Sequence, residues 1–174
     1  GVAALVLPEK CQIIPLILGG GQEENLRSGT LSTPLILAFE VSAKIMTATL
    51  ENAQNDLQEL SMKIQEALSE HDNIVFPFQK SSPYILTFLI KGIASDIILR
   101  HLEMHDIYAS SSSACSAKIK GKSELFSALG LDESVHKNVL RISMARSTTK
   151  EDIERFIAIL TQILNELKGL IKYV

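Results

Sequence analysis

The chain has 174 residues, enough for roughly one domain of ordinary size, with 17 Lys and Arg against 20 Asp and Glu. The resulting net charge of −3 and pI near 5.8 exclude the clustered cationic footprint of a nucleic-acid binder. Apolar residues make up 46% of the chain, enough to bury a core, which excludes global disorder.

No apolar run approaches the ~20 residues of a membrane span, and Gly1-Val2-Ala3-Ala4-Leu5 lacks the regions of a signal peptide. No initiator Met is present, so the start reads as a cut through a longer chain. Cys11 and Cys115 allow one bridge but no disulfide framework, so free thiols in a reducing, cytoplasmic setting are expected.

Residues 2–7 and 10–18 predict two short buried strands, interrupted by Pro8 and Pro15, with Cys11 a core thiol. Four glycines follow in GGGQEENLRSGT, between Gly19 and Gly29. Such a stretch reads as a loop where the backbone approaches something closely. Its end, Gly29-Thr30, stands before a helix and suits either phosphate binding or simple capping by Thr30. Its spacing is not that of a Walker sequence.

Ser32 or Thr33 with Pro34 in the first turn opens a helix. Its apolar stripe predicts one long bridging helix to about His71, with a kink or boundary in the polar patch at 51–56. Beyond it the pattern predicts strands over 74–78 and 84–90, a helix from Ser95 to about Asp106 and a strand over 107–111. A short helix at 123–129 closed by Gly130 follows, then a strand over 139–145. A last helix opens at Thr149, with Asp152 completing a capping box. This second half is a β-α-β-loop-β-α unit, so the fold class is α+β: a small, mostly antiparallel sheet covered by helices.

Four positions attract chemical interest. Cys115 follows a strand in ASSSSACSAKIKGKS, where Lys118, Lys120 and Lys122 favour a thiolate; the alternative is an inert core thiol. Arg141 lies inside the apolar strand VLRIS, so it either faces solvent across an edge or pairs with an anion such as a carboxylate. His101 and His105 have the i,i+4 spacing of metal ligands without the zincin order, and read as a solvated or half-buried helix face; no metal site is expected.

Taken in order, GVAALVL, GGGQEENLRSGT, SSSSACS and VLRISMARSTTKEDIE resemble the NifS/IscS-type cysteine desulfurases, pyridoxal-phosphate (PLP) enzymes of fold type I. The resemblance spans essentially the whole chain. It implies that Cys115 takes sulfur from L-cysteine as a persulfide, releasing alanine, and passes it to an acceptor or iron–sulfur scaffold protein. By the same likeness Arg141 holds the substrate carboxylate, and Thr30 reaches the PLP phosphate across a homodimer interface. Residues 1–50 would then be the end of a large α/β PLP-binding domain with the start of the bridging helix, and 51–174 the small domain.

The family's PLP lysine precedes the strand at which this chain begins, so the chain alone is expected to be inactive. Ser134-Val135-His136-Lys137 spells the family's Ser-x-His-Lys segment in the wrong place, and reads as a surface-loop coincidence. Two positions depart from the family pattern: Ser112 replaces a glycine, and Tyr84–Phe88 lacks the usual asparagines. Rival assignments are a related PLP aminotransferase, which has no use for Cys115, and a non-catalytic dimerisation or docking module.

Overall fold

The strongest strand signal of the sequence, Ile85–Ile90, forms the strand that anchors the second half of the molecule. The computed structural model describes residues 1–78, 82–111 and 124–168, and the chain divides into two compact units, Gly1–Leu50 and Glu51–Val174.

In the second unit, β1 (Ile74–Val75), β2 (Ile85–Ile90), β3 (Ser110–Ser111) and β4 (Val139–Ser143) make one sheet in the order β1-β2-β4-β3. Every neighbouring pair is antiparallel. Alternation along β2 and β4 sends Leu86, Phe88, Ile90, Leu140 and Ile142 to one face. There they join side chains of α2 (Leu50–Leu68), α3 (Ser95–Glu103) and α5 (Lys150–Leu167) in the main core. The expected small antiparallel sheet with helices on it is the fold observed.

Helix α5 follows its sequence signature closely. The Thr149 hydroxyl accepts the Asp152 N–H at 3.1 Å, and the Asp152 carboxylate accepts the Thr149 N–H at 2.9 Å. Its stripe of Ile153, Phe156, Leu160, Ile163, Leu164 and Leu167 is buried, with Ile157 partly so.

Other elements are shorter than their apolar runs. β1 pairs only at Ile74–Val75, before Pro77, which has no N–H to give a ladder. α3 ends at Glu103, and the chain turns at Asp106 with φ +56. Ile98 and Leu102 are fully buried, whereas Ile97 and Met104 are exposed. β4 ends at Ser143 because the Thr148 hydroxyl, not a strand carbonyl, takes the Ala145 N–H at 2.9 Å.

Between α4 (Glu124–Ala128) and β4 the chain makes a 3-10 turn, Glu133–Asn138, that the sequence pattern does not announce. His136 in this turn is fully buried, which corrects the expectation of a surface loop.

The first unit departs most from expectation. Residues 2–7 and 10–18 form no strand. A strand exists only by hydrogen bonds to a neighbour, and Leu5, Val6, Ile14, Leu16 and Leu18 lie exposed. Cys11 is exposed rather than a core thiol: its N–H closes a tight turn onto the Pro8 carbonyl at 2.9 Å.

The single long helix is also not formed. Helix α1 (Thr33–Ala48) stops one residue before α2 begins, at Thr49. Thr47 and Thr49 donate their hydroxyls to the carbonyls of Ala43 and Ile45, at 2.8 and 3.0 Å. Such back-bonding competes with the helical ladder. Among the described residues no single helix is long and apolar enough to cross a membrane.

Candidate active site

Because Leu140 and Ile142 enter the core, Val139, Arg141 and Ser143 point to the opposite face of the sheet. β4 is an interior strand, so Arg141 does not hang over an edge. Its register partner on β2 is Thr87 and its partner on β3 is Ser110. Antiparallel partners share a face, so Thr87, Arg141 and Ser110 form a polar row across three strands, each half-buried. The Arg141 Nε is buried and has no hydrogen-bond partner among the described residues. An unpaired guanidinium N–H held out of water is a donor lacking its acceptor.

One step along the same face, Leu89 pairs with Val139, and both pack against Phe126 of α4. Val139 is two residues from Arg141, about 7 Å along a strand. The end of α4 is fixed by Gly130, at φ +81, in a Schellman turn: Leu131 N–H reaches the Phe126 carbonyl at 2.9 Å and Gly130 N–H the Ser127 carbonyl at 3.0 Å. Leu131 and Phe126 belong to the same apolar cluster, which supplies the contact that accompanies this motif. Gly130 thus closes α4 as the sequence suggests.

Cys115 lies outside the described residues, within 112–123. What is described are the residues on either side. Ser111 is buried and pairs with Leu140, next to the Ser110–Arg141 pair. On the other side stands α4, whose Phe126 packs on Val139. Both flanks of the segment therefore meet β4 within two residues of Arg141.

Thr30 belongs to the first unit. Its loop is tied by Ser28 N–H to the Ile17 carbonyl at 3.2 Å and by Gly29 N–H to the Gln22 side-chain carbonyl at 3.0 Å. Gly29 has φ +121, a conformation that favours glycine, and the Arg27 guanidinium, which donates to the Ser28 carbonyl at 3.1 Å, lies over it. Thr30 is exposed, and its hydroxyl bonds to no other described residue. The N-cap of α1 is Ser32, so capping does not account for Thr30. A hydroxyl one residue from a glycine overlain by an arginine suits phosphate oxygens, and to that extent the residues present fit PLP. Arg27 is the part of this arrangement that sequence reasoning overlooked.

His101 on α3 and His105 just beyond it are half-buried. Among the described residues no three His, Cys, Asp or Glu side chains converge as a metal-binding group.

Residues 17–156 match the family described as aminotransferase class-V. The chain belongs to that family. Curated relatives at about 30% identity include proteins named as cysteine desulfurases. The cysteine desulfurase IscS of Rickettsia bellii is 30% identical over 175 residues, covering 98% of this chain and 42% of that protein. Cysteine desulfurase IscS 1 of Archaeoglobus fulgidus is 30% identical over 178 residues, covering 98% and 45%. Among solved structures, a NifS-like protein superposes with a TM-score of 0.77 at 28% identity, covering 91% of this chain and 41% of that one. The chain therefore spans less than half the length of the relatives it matches.

Proposed function

We propose that this chain is the C-terminal part of a PLP-dependent cysteine desulfurase, with residues 1–50 completing a large PLP-binding domain and 51–174 forming the small one. One observation carries the assignment. Arg141 stands in a polar row on the sheet face away from the core, and the flanks of the segment holding Cys115 meet β4 beside it. Three residues of chain, four Cα-to-Cα steps, separate Ser111 from Cys115, a reach of about 14 Å at full extension.

Arg141 offers its planar fork to the carboxylate of L-cysteine. The Cys115 thiolate then attacks the substrate sulfur. A sulfur–sulfur bond forms as the substrate Cβ–S bond breaks, and the released electron pair takes a proton at Cβ, giving alanine. The sulfur remains on Cys115 as a persulfide, ready for an acceptor or iron–sulfur scaffold protein in the cytoplasm. PLP, when bound, supplies the electron sink that weakens the Cβ–S bond. Thr30, with Arg27 beside it, holds the phosphate of that group across a dimer of two copies. No lysine of this chain stands at the family's PLP-binding position, so these residues alone are expected to release no alanine from L-cysteine and PLP.

The chain provides its own reference for a test, since Cys11 is an exposed thiol at the end of a tight turn. Iodoacetamide at neutral pH, followed by peptide mass spectrometry, should label Cys115 at least several-fold faster than Cys11. Equal rates would remove the nucleophile and leave a docking module. In a form that also carries the PLP lysine, Cys115→Ala should abolish alanine release; retained turnover would favour the aminotransferase alternative.

A further inference from the structure

The polar row contains more than the one residue that family likeness points to. On the face shared by Thr87, Arg141 and Ser110, the next pair along β2 and β4 is Leu89 with Val139, both buried in an apolar cluster. Thr87 and Ser110 are thus the hydrogen-bonding side chains that strand register sets directly against Arg141, one on each side. Cross-strand partners hold their Cβ atoms about 4.5–5.5 Å apart, so a hydroxyl on either neighbour lies alongside the arginine stem rather than beyond its tip. The stem ends in Nε, a buried N–H that has no partner among the described residues, neither of these hydroxyls included.

We propose that Thr87 and Ser110 are positioning residues for Arg141. When an amino-acid carboxylate docks on the two Nη groups, a flanking hydroxyl accepts the Nε–H and fixes the guanidinium plane. The site then recognises a planar carboxylate end-on, with Nε held by the protein and both Nη groups left to the ligand. Thr87 is the stiffer of the two neighbours, because its β-branch restricts χ1. Its place on an interior strand also keeps the hydroxyl at a constant height above the sheet. This inference rests on the assignment of Arg141 as the carboxylate anchor and adds the residues that aim it.

The test reads Arg141 directly. The chain has only five arginines, so the Nε–Hε resonances of the 15N-arginine-labelled full chain can be assigned with Arg141→Lys as the blank. Titration with L-alanine, which carries the carboxylate, should shift the Arg141 resonance and slow its exchange with water; ethylamine, which lacks it, should do neither. Thr87→Val with Ser110→Ala should weaken L-alanine binding roughly tenfold, the worth of one charge-assisted hydrogen bond, and abolish the slowed exchange. Thr87→Ser in the Ser110→Ala background should restore both, which a merely structural role for the threonine would not do. If the hydroxyl-free variant binds L-alanine as the parent does, the positioning role is overturned while the anchor stands. If Arg141 ignores L-alanine in the parent, the anchor falls and the positioning role with it.

Discussion

The His136 ring stands edge-on to Phe126, with centroids 5.6 Å apart and planes at 67°, while its Nε2 lies 3.0 Å from the Leu131 carbonyl. A carbonyl only accepts, so Nε2 carries the proton. Leu131 in turn donates its backbone N–H to Phe126. Helix end, ring and 3-10 turn therefore close on one another, and together they hold α4 against the face that carries Arg141. His136→Phe keeps a ring but leaves the Leu131 carbonyl without this donor, at a cost of roughly 1–3 kcal/mol. Native-state hydrogen exchange should show the amides of Gly130, Leu131 and Val135 opening faster while those of α5 keep their protection. Uniform acceleration across both regions would mean that α4 is not a separately held unit.

Much of the second unit is legible in the sequence because its signals are local. The Thr149–Asp152 capping box, the stripe of α5 and the strand at Ile85–Ile90 are each written within a few residues. The Thr87–Arg141–Ser110 row is not. It joins residues from three distant stretches, and which one faces Arg141 is settled by register, which the packing of Leu86, Phe88, Leu140 and Ile142 decides. Sequence alone exposes only the charge inside an apolar strand. The first unit fails differently. Residues 2–7 and 10–18 have strand composition, yet composition does not supply the neighbouring strand that pairing needs. The break at Thr49 was written in the chain as threonines at 47 and 49, but the apolar stripe running past them masked it.

Tyr84 precedes β2, packs on the main core and has a buried hydroxyl with no partner among the described residues. Its backbone carbonyl is used, accepting the Met144 N–H at 2.8 Å, but the phenol is not. Removing an unsatisfied buried hydroxyl without changing shape relieves a desolvation penalty. Tyr84→Phe should therefore stabilise the second unit, by about 1 kcal/mol in urea unfolding, with the backbone contact unchanged. A loss of stability would show that the hydroxyl finds an acceptor.

Gly130 offers a clean separation of backbone strain from crowding. Its φ of +81 lies in the left-handed region, while a Cβ placed there meets nothing within 4 Å. Gly130→Ala should cost about 1 kcal/mol through the backbone alone. Gly130→Asn should cost less, since asparagine tolerates that region better. Equal losses for both variants would point to a steric conflict instead.

The start of α5 ties stability to acid. Asp152 accepts the Thr149 backbone N–H, and this bond first, then the Thr149 side chain, holds its carboxyl below the ordinary aspartate value. The Lys63 side chain similarly lowers Glu154 two residues further on, through its hydrogen bond and then its charge. A carboxyl whose folded pKa is lowered stabilises the fold fully above its unfolded pKa, about 4 for an aspartate. That contribution is lost as the pH falls through the lower folded value. Thr149→Ala should cost about 1 kcal/mol near neutral pH, the usual worth of an N-cap hydroxyl. Asp152→Asn should be less stable than the parent at neutral pH, with the gap beginning to narrow below about pH 4 and closing only as the pH falls through the lowered folded value, where the parent carboxyl itself takes a proton. Urea midpoints measured from pH 7 down to pH 3 decide the matter: parallel curves for parent and Asp152→Asn would show that the box is held by something other than the carboxylate.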